Sequence, residues 1–375
     1  MAGLPNHQWR DLQIVRCERG GIVSRTTIIV GAGASVSEAL RVAADPLPPL
    51  DKGFFSRLAQ TQPRELKPIS DYMKEKYGVD VLSPAEDGLE AVMAVVYTDI
   101  RHGELGPAAE APFRSIIRAV NAELTTSTNQ LKPDLDSHLA RIVRKQVDLG
   151  TSLNEIAFVT YNYDLQIEKS LLALEKAGIT TTHATTLNFP YCYHLPEPVA
   201  ISRPPDSATI FPKGNSELLH VPVFKLHGSL NWYSAHGSRN PSINSLLRTN
   251  RIVRVTPRMY PTASMTFTRA RKTYAFPVVI PPVINKSAIL PAVFGKVWKD
   301  AESQLKDSEH VIVFGYSCPI FDHESANLMT RCLRSNDTLD HLTIIDPNAA
   351  VIERYADLSH AQHIDYYRDV ETYLT

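Results

Sequence analysis

The sequence predicts an α/β fold in which helices cover both faces of a parallel sheet. Short runs rich in Ile, Val, Phe and Thr recur along the chain, and segments of helical composition follow several of them. Four of the runs end in a polar or glycine-containing segment, as strands do at the ligand-binding edge of an open α/β sheet. The chain has 375 residues with 43% hydrophobic content, which is enough for a large buried core.

The first predicted unit is a strand, a glycine turn and a helix. Arg25 to Val30 is short and rich in β-branched residues, and Val36 to Ala44 has helical composition. The sequence GAGAS at 31–35 forms the turn between them, and prolines from Pro46 onward end the helix. Residues 54–150 carry amphipathic patterns, which predict a helical insertion.

The rest of the chain continues the alternation of strands and helices. The predicted strands are Ile156 to Thr160, Val221 to Leu226, Val311 to Phe314 and Leu342 to Ile345. The predicted helices are Leu165 to Ala177, Val293 to Leu305, Asp322 to Arg334 and Ala349 to Leu358. Two irregular insertions, 180–217 and 236–285, interrupt the pattern. We therefore predict a single domain, 1–375, with its core in 25–45 and 156–375.

Composition argues against a secreted, membrane or metal protein. The polar start of the chain, 1–21, lacks the continuous apolar stretch of a signal peptide, and the longest apolar run, 275–284, is too short to span a bilayer. No Cys-x-x-Cys pair occurs among the four cysteines, which are Cys17, Cys192, Cys318 and Cys332. We expect a cytoplasmic protein with reduced thiols and no bound metal.

Charge is distributed unevenly, although the net charge is only -1. Residues 218–299 contain twelve Lys and Arg but no Asp or Glu. This stretch is either an anion-facing surface or a face whose partners are carboxylates elsewhere in the fold. Basic and aromatic residues mix between Arg248 and Phe267 as they do in single-strand binders, yet no recognised module frames them. Direct nucleic-acid binding stays open.

The glycine turn offers backbone amides and the positive end of a helix dipole to a phosphate. Ser35 can add a hydroxyl or cap the helix. The G-x-G-x-x-G pattern is incomplete, because Val36 stands where the third glycine would be. An ordinary strand-to-helix turn is the equal alternative.

Polar residues also follow three later strands. Asn162 can orient a ribose hydroxyl or an attacking water, and Asp164 can accept from hydroxyls, although capping of the next helix is the stronger explanation of this loop taken alone. Ser317, after Gly315, could donate to a phosphate or a ribose. Asn348 offers an acceptor after the last predicted strand, where capping again competes.

His227 directly follows the third strand and precedes a glycine. An imidazole with an unperturbed pKa of roughly 6.5 can act as a general base at neutral pH. A lone histidine is more often structural, but the neighbouring side chains predict a polar and aromatic rim around it. These neighbours are Lys225, Ser229, Asn231 and Trp232.

Together, the order and spacing of these segments resemble the sirtuin-like family, in particular its zinc-free bacterial branch. The matching segments are the GAGAS turn at 31–35, T-x-N-Y-D at 160–164, L-H-G at 226–228 and G-Y-S at 315–317. Each follows a predicted strand. The resemblance is dispersed over residues 25–350.

The resemblance implies a Rossmann-like core that binds NAD+ as its substrate. In that family pattern, the pyrophosphate is held by Gly31, Ala32, Gly33 and Ser35, and the nicotinamide ribose lies beside Asn162 and Asp164. His227 is then the catalytic base, with Asn162 as the second catalytic residue. The adenosine half is lined by Gly315, Ser317 and Asn348.

The resemblance also implies a reaction. Protein deacylases of the family carry two Cys-x-x-Cys pairs, which this chain lacks. We therefore expect hydrolysis of NAD+ to ADP-ribose and nicotinamide, as in abortive-infection defence against phage. An NAD-dependent protein deacylase and a non-catalytic NAD or ADP-ribose sensor are the alternatives. The expected partners are further copies of the chain in a homo-oligomer, or an activating ATPase or helicase (HerA-like), Argonaute or sensor protein.

Overall fold

The computed structural model describes residues 26–83, 88–101, 106–178, 187–188, 219–238, 240–242, 245–246, 252–254, 274–280, 292–319 and 322–375. Its strands are β1 (Thr26–Val30), β2 (Ile156–Thr160), β3 (Leu187–Asn188), β4 (Leu219–His220), β5 (Val223–Lys225), β6 (Gly228–His236), β7 (Ile252–Arg254), β8 (Tyr274–Val279), β9 (His310–Phe314), β10 (His341–Ile345) and β11 (His363–Tyr367). Its helices are α1 (Ala32–Arg41), α2 (Phe54–Thr61), α3 (Pro63–Tyr77), α4 (Leu89–Arg101), α5 (Gly106–Asn129), α6 (His138–Asp148), α7 (Gln166–Lys176), α8 (Ala292–Lys306), α9 (His323–Arg334), α10 (Ala350–Leu358) and α11 (Val370–Leu374).

Six of the strands form one parallel sheet in the order β11-β10-β9-β1-β2-β5. The chain first moves outward from β1 to β2 and β5, and then returns to β9 on the other side of β1. This is the strand order of doubly wound dinucleotide-binding folds, and its direction reverses between β1 and β9. Val30 pairs with both Thr160 and Phe314, so these strands end level with one another.

Helices cover both faces of this sheet, because successive strand residues point to opposite sides. On one face, Ile28 and Val30 of β1 pack in a hydrophobic cluster with α6, α7 and α11. On the other face, Ile29 packs in a second cluster with α8, α9 and α10. The strands other than the edge strand β11 are buried on both sides, so their sequences are continuous apolar runs rather than alternating patterns. The predicted α/β class is confirmed.

Helices α2 to α5 form a third hydrophobic cluster, which includes Phe276 and Val279 of β8. Strand β8 belongs to an antiparallel sheet of order β7-β6-β8. Asn121 of α5 also donates from Nδ2 to the hydroxyl of Tyr233 on β6, at 3.4 Å. Within the predicted insertion 54–150, α2 to α5 are thus joined to the antiparallel sheet, whereas α6 packs on the parallel one.

Several sequence predictions need correction. Helix α1 begins at Ala32 rather than Val36, so most of the predicted glycine turn is the first helical turn. The edge strand β11 was not predicted, because its sequence HIDYY is largely exposed and carries no apolar run. The prediction of an irregular stretch at 236–285 is wrong where the structure describes it, since β7 and β8 pair there with β6. The strand β8 was not predicted because it contains Pro277, and proline is rare within strands. It is an edge strand, where proline is tolerated.

Most of the other predicted insertion, 180–217, lies outside the described residues; its Leu187–Asn188 pairs in parallel with β4. Cys17 and Cys192 also lie outside them, whereas Cys318 and Cys332 are buried free thiols. None of the helices in the described part of the chain combines the length and the apolar character that a membrane crossing needs.

We expect Gly315→Ala to destabilise the protein far more than Gly78→Ala. Both glycines have a left-handed φ, at +62° and +69°, but a Cβ on Gly315 would lie 2.2 Å from the backbone nitrogen of Ala34. A Cβ on Gly78 would meet no described atom within 4 Å. Strain alone should cost about 1 kcal/mol at Gly78, and overpacking should bring the loss at Gly315 to at least about 3 kcal/mol. Urea unfolding of the two variants measures the difference; equal losses would contradict it.

Candidate active site

The carboxyl ends of the parallel strands bring the predicted polar segments to one edge of the sheet. The loops after β1 and β9 are in direct backbone contact there. Gly31 donates its amide to the carbonyl of Phe314 at 3.0 Å, and Gly33 donates to the carbonyl of Gly315 at 2.9 Å. A Cβ on Gly31 would lie 2.4 Å from that same Gly315 oxygen. The glycines therefore have a structural role that the sequence did not reveal, which is to let two loops touch.

Three of the predicted site residues form one buried hydrogen-bond network. Ser35 donates its hydroxyl to Oδ2 of Asp164 at 2.5 Å. Asn162 donates from Nδ2 to the carbonyl of Gly31 at 2.8 Å and to the Ser35 hydroxyl at 3.2 Å. The side chains thus link the loop after β2 to the first turn of α1. The carbonyl oxygen of Asn162 is then the amide atom left to act on a substrate.

Asp164 also caps α7, because its Oδ1 accepts the amide of Gln166 at 2.9 Å. The capping alternative for this residue is therefore correct, but it uses only one carboxylate oxygen. The other oxygen faces Ser35. Capping and a role in the site coexist at this residue.

Lys225 lies beneath this network as half of a buried ion pair. Its Nζ is 3.2 Å from Oε1 of Glu168, and the two side chains are only 1% and 0% exposed. Nζ also donates to the backbone carbonyl of Asp164. The expected rim around His227 is therefore wrong in this part, because Lys225 points into the core. For this one residue of the stretch 218–299, the partner is a carboxylate elsewhere in the fold.

The other predicted rim residues are also buried, and they are Ser229, Asn231 and Trp232. They lie on β6, which begins immediately after His227 and whose side chains pack between the two sheets and the helices. The sequence did not predict this strand, and its residues 228–234 are all buried, whereas a loop would have exposed them. Only the residues of the turn itself remain at the sheet edge.

His227 occupies a tight turn between β5 and β6. Gly228 has a φ of +89°, and a Cβ there would lie 2.2 Å from the carbonyl oxygen of Val278, so only glycine fits. The carbonyl of His227 accepts the amide of Ile280 at 2.8 Å. The imidazole Nε2 lies 3.1 Å from Oδ2 of Asp322, and both side chains are buried. The turn, the backbone contact and the carboxylate together fix the imidazole.

Aromatic rings surround the imidazole. Tyr161 contacts it edge to face at a centroid distance of 5.3 Å. The rings of Tyr163 and Trp298 are tilted against it, at centroid distances of 6.0 Å and 6.5 Å. Burial raises the pKa of Tyr161 and of Tyr163 well above the usual value for a phenol, so both stay protonated at neutral pH. Because these tyrosines flank Asn162 in the sequence, they bring His227 close to the hydrogen-bond network.

Residues predicted for the adenosine half lie along the same edge but differ in their surroundings. Gly315 contacts the glycine turn, as described above. Ser317 is exposed, and its backbone carbonyl accepts a hydrogen bond from Arg354. Asn348 accepts the amide of Ala350 at 3.1 Å in a turn just before α10, whose N-cap is Ala349 and has no side-chain capping bond. Burial raises the pKa of the neighbouring Asp346. A role for Gly315, Ser317 and Asn348 in binding adenosine stays a prediction.

Sequence reasoning missed Asp322 and Glu168. Asp322 stood at the predicted start of a helix, where an Asp reads as a cap, and Glu168 lay within a helix. Neither position carries a local signal of its buried partner, because His227 and Lys225 are distant in the sequence. Among the described residues, no group of three or more His, Cys, Asp or Glu converges to hold a metal ion.

Comparison with known proteins gives only distant likenesses. No family model and no curated protein matches the chain. Among solved structures, it is similar to Sir2Tm bound to a propionylated peptide, with a TM-score of 0.41, 12% identity and coverage of 92% of this chain and 89% of that one. It is similar to Sir2 in complex with an inhibitor, 2'-O-acetyl-ADP-ribose and a deacetylated peptide, with a TM-score of 0.38, 13% identity and coverage of 93% and 90%.

A third likeness, to a structure that describes the mechanism and regulation of Sir2 enzymes, has a TM-score of 0.38, 10% identity and coverage of 94% and 90%. At TM-scores below 0.5 and such low identity, these likenesses establish neither a family nor an activity for this chain. What can be said of its function depends on the strand order and the contacts at the sheet edge.

We expect Lys225→Met to lower the free energy of unfolding by about 3 to 5 kcal/mol, because it leaves the Glu168 carboxylate buried opposite a neutral side chain. Adding Glu168→Leu should recover part of that loss, so the double variant is more stable than the sum of the single changes predicts. The control is Lys67→Met, which breaks an exposed pair with Asp71 and should change stability by less than about 1 kcal/mol. Urea unfolding measures these three variants and the single variant Glu168→Leu; strictly additive losses at 225 and 168 would contradict the pairing.

Proposed function

We propose that this protein hydrolyses NAD+ at the bond between nicotinamide and ribose, giving ADP-ribose and nicotinamide. One observation carries the proposal. The hydrogen-bond network of Ser35, Asn162 and Asp164 lies next to the buried pair of His227 and Asp322, at the carboxyl edge of a sheet with dinucleotide-binding strand order.

The strand order supports a dinucleotide at this edge. In open α/β sheets, ligands bind where the strand order reverses, which here is between β1 and β9. Helix α1 begins at that point, and the positive end of its dipole favours a phosphate. Gly31 and Gly33 already donate their amides within the protein. A pyrophosphate at α1 would therefore meet the other amides of that turn, among them Ala32.

The side chains of the network support cleavage of the glycosidic bond. As neutral nicotinamide leaves, positive charge develops on the ribose, so the reaction needs orientation and charge stabilisation more than a strong acid. The Asp164 carboxylate, held by Ser35 and by its cap, supplies fixed negative charge. Asn162 would orient the ribose or water through its carbonyl oxygen, and His227 would accept the proton of the attacking water.

The surroundings of His227 favour water over a larger acceptor. The residue is only 5% exposed, and the rings of Tyr161, Tyr163 and Trp298 surround it. A deacylase must admit an acylated lysine to its reacting ribose, whereas a hydrolase needs only a water molecule. In the part of the chain that the structure describes, the close packing at His227 therefore supports hydrolysis.

A biological role follows from the reaction. Uncontrolled hydrolysis of NAD+ would kill the cell that makes the enzyme, so we propose an abortive-infection effector against phage that is held inactive until triggered. The trigger would come through a homo-oligomer or through a partner such as an ATPase, helicase, Argonaute or sensor protein. The low exposure of His227 is what such a restrained state requires.

Light scattering after size exclusion tests the restraint. We expect the isolated chain to release nicotinamide slowly and to form an oligomer, or to gain activity when a partner is added. The molar mass of the assembly and the rate of nicotinamide release should change together on activation, because access to His227 is then coupled to assembly. A monomer with full activity would contradict this part of the proposal.

His227→Ala should abolish nicotinamide release and leave binding of NAD+ largely intact, because the imidazole acts on the water rather than on the dinucleotide. The control is His236→Ala, which removes a buried histidine hydrogen-bonded to Ser234 and Ser245 at the far end of β6 and should keep activity. Chromatography of the products and calorimetry of NAD+ binding give the two readouts, and cellular NAD+ on expression gives a third.

The products also separate the alternatives. Release of nicotinamide and ADP-ribose from NAD+ alone supports hydrolysis. Release that requires an acylated peptide, with acyl-ADP-ribose as the product, would replace the proposal by deacylation. Binding of NAD+ with no product in vitro and no loss of cellular NAD+ would replace it by a sensor. Full activity of His227→Ala would remove His227 from the mechanism.

A further inference from the structure

We propose that Asp322 is a positioning residue for His227. It holds the imidazole in one orientation with the proton on Nε2, so that Nδ1 is the nitrogen that acts as the base. The inference rests on the proposed function for its catalytic consequence, but not for the state of the imidazole itself. Nothing in the order of the sequence indicates the pair, because the two residues belong to separate strand-end segments.

The contact between the two side chains is close and buried. Nε2 of His227 lies 3.1 Å from Oδ2 of Asp322, and the side chains are 6% and 2% exposed. A carboxylate removed from water is costly unless its oxygens receive hydrogen bonds or face a cation. An N–H donor on Nε2 meets that need, so the carboxylate selects the tautomer protonated at Nε2.

Helix capping explains only part of the geometry at Asp322. Its Oδ1 accepts the amide of Ser325 at 3.2 Å, which is the capping bond at the start of α9. Its Oδ2 accepts the Ser325 hydroxyl and faces the imidazole. A cap needs one oxygen. The second oxygen faces the predicted catalytic base inside the protein, and capping does not require that contact.

Three aromatic side chains flank the imidazole of His227. Tyr161 and Tyr163 contact the ring from the loop after β2, and Trp298 contacts it from α8. Trp298 is itself fixed, since its Nε1 donates to the carbonyl of Leu226 at 3.0 Å. The observed orientation, with Nε2 toward Asp322, is therefore supported by neighbours from two elements.

The contact between His227 and Asp322 has a role in the proposed reaction, because the attacking water must lose a proton. The oxygen of water forms a bond to C1' of the ribose, and the C1'–N bond breaks with its electron pair going to nicotinamide. The proton lost by the water passes to Nδ1, which turns His227 into an imidazolium. Oδ2 of Asp322 then faces a cation instead of a neutral N–H, which stabilises the charge as it forms. The proton finally returns to solvent.

Asp322→Asn tests the role without removing the cap. An Asn can still accept the Ser325 amide, because Asn caps helices as well as Asp does. Its NH2 group would instead donate to Nε2, which moves the proton of His227 to Nδ1 and removes the base. We expect kcat for nicotinamide release to fall by at least about a hundredfold, with the Kd for NAD+ within about twofold, since the change acts on a protonation state and not on binding.

The pH profile gives a readout that a purely structural role would not change. The acidic limb of the activity profile should change position in Asp322→Asn, because the carboxylate that faces the imidazole is lost. The matched control is Asp369→Asn. Asp369 caps α11 by accepting the amide of Thr372 at 2.8 Å and forms an ion pair with Arg368, so its replacement should leave the pH limb in place.

Nitrogen-15 NMR of the imidazoles shows which nitrogen of His227 is protonated, and this measurement does not require enzymatic activity. We expect His227 of the wild-type chain to be protonated at Nε2, and at Nδ1 in Asp322→Asn. A wild-type enzyme that releases no nicotinamide but shows this tautomer would refute the proposed function and keep the positioning role. A wild-type His227 protonated at Nδ1, or an Asp322→Asn variant with wild-type kcat and pH limb, would reduce Asp322 to a helix cap.

Discussion

The backbone contact between the loops after β1 and β9 is the constraint on which the candidate site depends. These strands are neighbours in space but are separated in sequence by the helical insertion and the antiparallel sheet. Glycines at 31, 33 and 315 let the loops meet with hydrogen bonds in place of side chains. The first turn of α1 is thereby fixed, and Ser35 on that turn can reach Asp164. Asn162 then binds the carbonyl of Gly31, so the loops of three adjacent strands become one rigid unit.

The same edge of the sheet contains buried polar groups that a simple core would avoid. Lys225 with Glu168, and His227 with Asp322, remove charge or partial charge from water in pairs. Such pairs add little net stability, because desolvation offsets most of the attraction, but each partner becomes costly to lose once the other is buried. The pairs therefore fix the relative positions of their side chains more than they stabilise the fold. Asp164 connects the hydrogen-bond network to the pair of Lys225 and Glu168. Its carboxylate accepts the Ser35 hydroxyl, and its backbone carbonyl accepts a hydrogen bond from Lys225.

The sequence predicts the strands of the parallel sheet well, because strands buried on both faces must be continuously apolar. It predicts Ser35, Asn162, Asp164 and His227 as strand-end residues for the same reason, and the structure places all four at one edge. It fails where the signal is not local. Strand β11 is an exposed edge, β8 contains a proline, and Asp322 resembles any helix cap until its second oxygen is seen to face an imidazole. The glycines were assigned to a phosphate, although loop contact alone requires them.

The position of β8 gives the molecule a mechanical property. On one side, β8 supplies Phe276 and Val279 to the cluster of α2 to α5. On the other, its Val278 carbonyl closes over Gly228, and the next residue, Ile280, binds the backbone of His227 and the hydroxyl of Tyr163. A displacement of helices α2 to α5 would therefore reach the His227 turn through β8 and through the bond from Asn121 to Tyr233 on β6. A protein that binds these helices would therefore displace the turn that carries His227 without touching the imidazole.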